Sequence, residues 1–254
     1  MKQTDAAIRT ISFVKIPAMS TGIRHILTGV SGHEIAKKHI LLLDLDGTLV
    51  TSTFRAVEAK EEVLRKLAAL SPTNGLSIKQ HIRDYFLFAE RLPYPLNIKA
   101  KNEISDVITK YELESVNKSD LKPGTNELLS YFRTFMPVCV VSNSGRKAVD
   151  TTLKRFGLEN SFDLVLSRDE VSDLKPDPAG ILQVLGKFGV SPAGAAMVGD
   201  TPMDVIAASR AGVISIGITD GVASVTDLAR EWPDYLMHDL IETRLLLSRL
   251  WLLA

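Results

Sequence analysis

Cysteine is nearly absent from this chain. Cys139 is the only one, so no intramolecular disulfide can staple the fold. It sits in the apolar run PVCVVSNS and reads as a small core hydrophobe rather than a nucleophile. Net charge is absent too: 30 Lys and Arg balance 30 Asp and Glu, which leaves no basic footprint of the kind that binds nucleic acid. No apolar stretch approaches the roughly 20 residues that span a bilayer. Neither nucleic acid nor membrane is therefore an expected partner, and a cytoplasmic location is expected.

What is present suffices for a full core: 254 residues, 45% hydrophobic and 24% charged. Residues 1–38 stand apart as an N-terminal extension, where Lys2, Arg9, Lys15, Arg24, Lys37 and Lys38 face only Asp5 and Glu34. The segment lacks the compact apolar block of a secretory signal. A flexible tail, a packed helical extension or a start at Met19 is expected ahead of a transit-like leader.

From His39 the pattern becomes regular. Apolar runs of strand length at Ile40–Leu45, Val138–Val141, Leu164–Leu166, Ala195–Val198 and Val213–Ile216 alternate with stretches of helical period. Because these runs are continuous, the strands should be buried on both faces. Repeated strand-helix units predict an α/β fold with a doubly wound, mostly parallel, Rossmann-like sheet. Gly157, Gly189 and Gly212 read as helix stops. Over residues 52–121 the rhythm breaks: RAVEAKEEVLRKLAAL, IKQHIRDYFLFAERL and IKAKNEISDVITKYELESV predict three or four helices and no strand. This reads as a small helical cap domain inserted after the first strand, with 39–51 and 122–254 forming the core and LKPGT restarting it. Tyr85, Phe86 and Phe88 are expected to pack the helical unit in preference to lining a pocket. The C-terminal IETRLLLSRLWLLA is expected to dock on the sheet, with a dimer contact as the alternative, so monomer and homodimer both stay open.

The chemistry begins in LLLDLDGTLV, which ends a buried strand with two carboxylates one residue apart, Asp44 and Asp46. An unpaired carboxylate in a low-dielectric site costs several kcal/mol, so a bound cation is the simplest compensation. Ligands in open parallel sheets gather at the carboxyl ends of the strands. After the first strand come Asp44, Asp46, Gly47 and Thr48; after the second, Ser142 and Asn143; after the third, Lys175 in SDLKPDP; after the fourth, Asp200 and Asp204 in MVGDTPMD. Each has a dull reading of its own, such as a helix cap or a solvated lysine. Together they would require an accident on every strand.

This set, in this order, resembles the haloacid dehalogenase superfamily, specifically its phosphatase branch, over about residues 39–238. The resemblance implies that Asp44 attacks phosphorus to form an aspartyl phosphate and that Asp46 handles the protons. It implies Mg²⁺ as the cofactor, held by the Asp44 and Asp200 side chains and the Asp46 carbonyl, with Asp204 holding a metal-bound water or Lys175. Thr48, Ser142, Asn143 and Lys175 form the expected substrate-binding set, with Thr48 orienting Asp46 or bonding nearby. The five histidines are assigned to neither catalysis nor metal.

Asp46 argues against dehalogenation, since dehalogenating relatives lack it. An imine-forming lysine in the cap, as in phosphonate-cleaving relatives, could be only Lys60 or Lys79, and both read as ordinary exposed lysines. The expectation is a phosphoglycolate-phosphatase-like phosphomonoester hydrolase acting on a small phosphorylated metabolite. A sugar-phosphate mutase of the β-phosphoglucomutase type is the rival, and a non-catalytic binding protein on the same fold the remoter alternative.

Overall fold

The computed structural model describes residues 39–73 and 75–252; the N-terminal extension lies outside them. Six strands, β1 (Ile40–Leu43), β2 (Val138–Val141), β3 (Leu164–Leu166), β4 (Ala195–Gly199), β5 (Ile214–Ile218) and β6 (Tyr235–Met237), form one sheet. Every neighbouring pair is parallel, in the order β3-β2-β1-β4-β5-β6. Three helices, α1 (Ala56–Ala68), α2 (Ile82–Glu90) and α3 (Leu96–Val116), follow β1. The remainder, α4 (Thr125–Phe132), α5 (Arg146–Arg155), α6 (Ala179–Phe188), α7 (Pro202–Ala211), α8 (Val225–Arg230) and α9 (Leu240–Leu252), accompany the sheet.

β1 shows why the strands read as unbroken apolar runs. Leu41 and Leu43 pack with Phe132 of α4, Val149 of α5, and Leu247 and Trp251 of α9. Ile40 and Leu42 point the other way, to Ile181 and Val184 of α6 and to Ala207 and Ala208 of α7. All four β1 side chains are fully buried, each worth roughly 1.5–3 kcal/mol relative to exposure. Cys139 on β2 is buried in the second of these layers, and burial pushes its thiol up to about 12, consistent with an inert core residue. Trp251 meets Phe132 edge-on at 6.3 Å and stacks on His39 at 5.1 Å, so α9 docks on the sheet domain as expected.

β6 was not foreseen. It has three residues, only Met237 is buried, and it lies at the sheet edge, so its apolar signal is too short to stand out. The first strand also ends two residues earlier than expected, at Leu43. Helices α1 to α3 share a separate apolar cluster that includes Val63, Leu67, Tyr85, Ile104 and Ile108, with Phe86 and Phe88 packed against it. Among the described residues no helix is long and apolar enough to cross a membrane.

The strand order reverses direction at β1, which places a switch point between β1 and β4, where crossovers leave in opposite directions and open a crevice at the carboxyl ends. The pairing Leu43↔Val198 brings these two ends level, and the Asp44 amide donates to the Val198 carbonyl at 2.9 Å. Asp44 is thereby pinned on the rim beside the residues that leave β4.

Candidate active site

Lys175 is the hub of the rim. Its ammonium donates to Asp44 Oδ1 at 2.6 Å, to Asp204 Oδ1 at 2.6 Å and to the Val141 carbonyl at 2.7 Å. Lys175 and Asp204 are almost wholly enclosed, and Asp44 nearly so. Residues 44, 175 and 204, far apart in sequence, thus meet because β1, the segment after β3 and the segment after β4 end side by side.

Local sequence explains how Asp200 and Asp204 are aimed. Thr201, Pro202 and Asp204 open α7 as a capping box with proline in the first turn: Asp204 Oδ2 accepts from the Thr201 amide at 3.0 Å and hydroxyl at 2.6 Å. One carboxylate therefore caps a helix and neutralises Lys175 together. Asp200 accepts from Thr48 Oγ1 at 3.1 Å and from the Val222 amide at 2.7 Å. Gly47 has φ +94°, and a Cβ there would strike the Asp200 carboxylate, so only glycine fits this turn. Gly221 is glycine for a related reason, since a Cβ would collide with the Asp200 side chain.

Asp46 occupies a different setting from Asp44. Its Oδ2 accepts from Ser144 Oγ at 2.8 Å. Burial raises its pKa above the ordinary carboxylate value, with the Ser144 bond opposing that rise. Ser142 Oγ accepts from the Ser144 amide at 3.0 Å. The Asn143 carboxamide is turned onto the Lys175 backbone, accepting from its amide and donating to its carbonyl, each at 2.9 Å. Asn143 thus positions Lys175, although it also lines the cavity described below. Thr48 is fully buried and its hydroxyl donates to Asp200, the nearby bond that was one of its two expected roles.

Electrostatics favour a cation. Desolvation raises Asp44 well above its ordinary value despite the neighbouring Lys175, and raises Asp200 to about 6, with Asp204 adding to both. Lys175 shows the converse: burial alone would lower it, but Asp204 and Asp44 hold it above its ordinary value. One ammonium among three buried carboxylates leaves a formal excess of two negative charges. Asp44, Asp200 and Asp204 each offer an oxygen within 4.8 Å of the others. An all-oxygen set with that charge suits a hard divalent ion, so these three aspartates can hold a metal. The Asp46 carboxylate is not one of the three.

A cavity of about 520 Å³ opens between this rim and helices α1 to α3. Asp46, Asn143, Ser144, Lys175 and Thr201 line its rim side; Phe54, Lys60, His81, Ile82, Arg83 and Glu112 come from the helical side. Phe88, although aromatic and close in sequence, is not among the lining residues and packs the helical cluster. His81, assigned no role from sequence, lines the cavity and caps α2. Lys60 also lines it, unlike an ordinary exposed lysine.

Three further groups support the site. Ser144 could have been recognised, since it lies two residues past Ser142 in the same loop. Lys122 donates to the Gly47 carbonyl at 2.9 Å and pairs with the Asp220 carboxylate, tying together the two loops that flank Asp200. Glu112 on α3 meets Arg168 at 2.7 Å in a buried pair, and its other oxygen accepts from the Gly145 amide at 3.2 Å. Nothing local in the sequence marks that pair, whose members are 56 residues apart.

A switch-point crevice lined by aspartates and one shared lysine, roofed by a helical unit, defines a hydrolase site. The chain belongs to the haloacid dehalogenase-like hydrolase family, whose model matches residues 41–218. It is similar to the phosphoglycolate phosphatase of Nitrosococcus oceani, 27% identical over 85% of this chain and 99% of that protein. A second relative, the phosphoglycolate phosphatase of Neisseria meningitidis, is 28% identical over 78% of this chain and 89% of its own length. In fold it resembles a hydrolase from Pseudomonas syringae, with a TM-score of 0.64 and 22% identity over 84% of this chain and 99% of that one.

Proposed function

We propose that the chain is a Mg²⁺-dependent phosphomonoester hydrolase of phosphoglycolate-phosphatase type, acting on a small phosphorylated metabolite through an aspartyl phosphate on Asp44. The observation that carries this reading is the contrast between two neighbouring carboxylates. Asp44 is clamped by the Lys175 ammonium at 2.6 Å, whereas Asp46 holds a single hydroxyl partner, Ser144, and faces the cavity. Two carboxylates in unlike settings can divide nucleophile and acid–base work between them.

An Asp44 oxygen attacks phosphorus, and the bond to the leaving oxygen breaks. Asp46, in its acid form, gives that oxygen a proton. As a carboxylate it then takes a proton from the water that attacks the acyl phosphate, releasing inorganic phosphate and restoring Asp44. The Lys175 ammonium and the Ser142 hydroxyl hold the phosphoryl oxygens as charge develops. Asp44, Asp200 and the Asp46 carbonyl, with Asp204 in support, would hold Mg²⁺, which when bound would supply the positive charge that lets a phosphate dianion approach these carboxylates. Helices α1 to α3 act as a cap that excludes bulk water. The relatives named above support the substrate class.

A screen of phosphate release across small phosphoesters, with and without Mg²⁺, tests the reading; product isomers of sugar phosphates are analysed in the same reactions. Mg²⁺-dependent release of phosphate supports it. Isomerised product without released phosphate would replace it with a mutase.

A further inference from the structure

Ser144, whose hydroxyl donates to Asp46 at 2.8 Å, lies in a loop whose backbone is gripped from the side away from the rim. Arg168, two residues past β3, donates its amide to the Ser144 carbonyl at 2.9 Å and its guanidinium to the Asn143 carbonyl at 3.2 Å. The next amide along, that of Gly145, donates to Glu112 Oε2 at 3.2 Å, while Glu112 Oε1 accepts from the same guanidinium at 2.7 Å. Three successive residues, 143 to 145, are thus tied to one ion pair. Its carboxylate belongs to α3 of the helical unit and its cation to the sheet domain, and both side chains are more than nine-tenths buried. Gly145 has ordinary dihedrals, φ −66° and ψ 154°, which alanine adopts freely. A Cβ there would stand 2.6 Å from Arg168 Nη2 and 3.4 Å from Glu112 Oε2. Position 145 is small because the pair fills the space beside it. A buried ion pair is a poor filler, since apolar side chains of similar volume often stabilise as well or better. What it supplies is direction: a guanidinium fork and a carboxylate fix hydrogen-bond partners that a leucine cannot.

Resting on the phosphatase reading, we propose that Glu112 and Arg168 are positioning residues, through which α3 of the cap holds residues 143–145 so that Ser144 keeps the Asp46 carboxyl aimed at the leaving oxygen. The cap then does more than exclude water, because one of its own carboxylates completes the proton-transfer side of the rim. With Glu112 withdrawn, the Gly145 amide and the guanidinium lose their shared acceptor, the loop is released, and the Ser144 hydroxyl no longer fixes Asp46. The proton donor is therefore aligned only while the cap is seated.

The test is steady-state kinetics of the full chain with Mg²⁺ on 2-phosphoglycolate, whose alkoxide needs a proton to leave, and on p-nitrophenyl phosphate, whose phenolate does not. The melting temperature is read on the same samples. The paired variant, Glu112→Leu with Arg168→Met, strands no charge and should melt close to wild type. It should lose roughly ten- to a hundredfold in kcat/KM on 2-phosphoglycolate, through kcat and not KM, and little on p-nitrophenyl phosphate. Gly145→Ala displaces the guanidinium but keeps both charges; it should show the same selectivity to a smaller degree, and it carries the test if the paired variant does not fold. Adding Ser144→Ala to the paired variant should cost nothing further, because both act through one contact. Equal losses on the two compounds in either variant, or no loss in either, overturn the positioning role and leave the phosphatase reading intact. So does a Ser144→Ala cost that adds in full to that of the paired variant, or wild-type turnover of p-nitrophenyl phosphate alone. No Mg²⁺-dependent phosphate release from either compound by wild type overturns both.

Discussion

Stripped of divalent cations, the folded chain should lose stability as pH rises through about 6. Asp200 has its folded pKa raised to about 6 from an ordinary 3.8, chiefly by burial. A raised carboxylate favours the protonated native state, so its contribution is complete below the unfolded value and disappears as pH climbs through the folded one. A shift of about two units corresponds to about 3 kcal/mol. Asp44 and Asp46 are raised too and act in the same direction. Glu170, held down to about 2 chiefly by Arg146, titrates far below this window. About half of that is lost between pH 5 and pH 8, the rest lying below pH 5, so at two to four degrees per kcal/mol for a chain of this size the melting temperature without metal should fall by roughly 3–6 °C over this range. Magnesium should reverse the fall, with a small effect at pH 5 and a large one at pH 8. Differential scanning calorimetry in chelator and in millimolar Mg²⁺ measures both. Asp200→Asn should flatten the pH dependence and the metal response together. A metal-free melting temperature that climbs between pH 5 and pH 8, with no response to Mg²⁺, would refute this electrostatic reasoning.

The remaining predictions concern single groups. Asp44→Asn should reduce phosphate release by about four orders of magnitude with the fold preserved by circular dichroism, as removal of a nucleophile does. Ser144→Ala removes a bond that lowers the Asp46 pKa, so the alkaline limb of kcat/KM, where the acid form of Asp46 is lost, should move to higher pH. Lys122→Met, which unties Gly47 from Asp220, should cost about 3 kcal/mol in urea unfolding and weaken Mg²⁺ affinity measured by calorimetry. Glu112→Ala strands a buried Arg168 and should cost roughly 3–5 kcal/mol, whereas Glu112→Leu combined with Arg168→Met should recover most of that loss.

What the sequence revealed and what it concealed divide along physical lines. β1, β2 and β4 were legible because both of their faces are covered, so every position is apolar and the run is unmistakable. β6 was not, because it is an edge strand of three residues whose first two side chains are only partly buried. Asp44, Asp46 and Asp200 were legible because each sits just after such a run, where topology makes strand ends converge; Lys175 lies further from the end of β3 and was read from its place in SDLKPDP. For Thr48 two roles stayed open, a nearby bond or the orientation of Asp46, because a hydroxyl beside two aspartates carries no information about which carboxylate it faces; after the left-handed turn at Gly47 it donates to Asp200. Glu112 and Arg168 escaped notice because their pairing depends on how the helical unit sits against the sheet domain. Lys60 and Arg83 were obscured in the same way, since on a helix that is polar over much of its surface a lysine facing a cavity resembles one facing water.

The account turns on Asp44 taking up the phosphoryl group. Wild-type protein mixed with Mg²⁺ and a substrate labelled in its phosphoryl group, quenched in acid within a turnover and digested, should carry the label on a peptide containing Asp44. Label on another peptide, or full turnover with no label retained by the protein at any quench time, would contradict it.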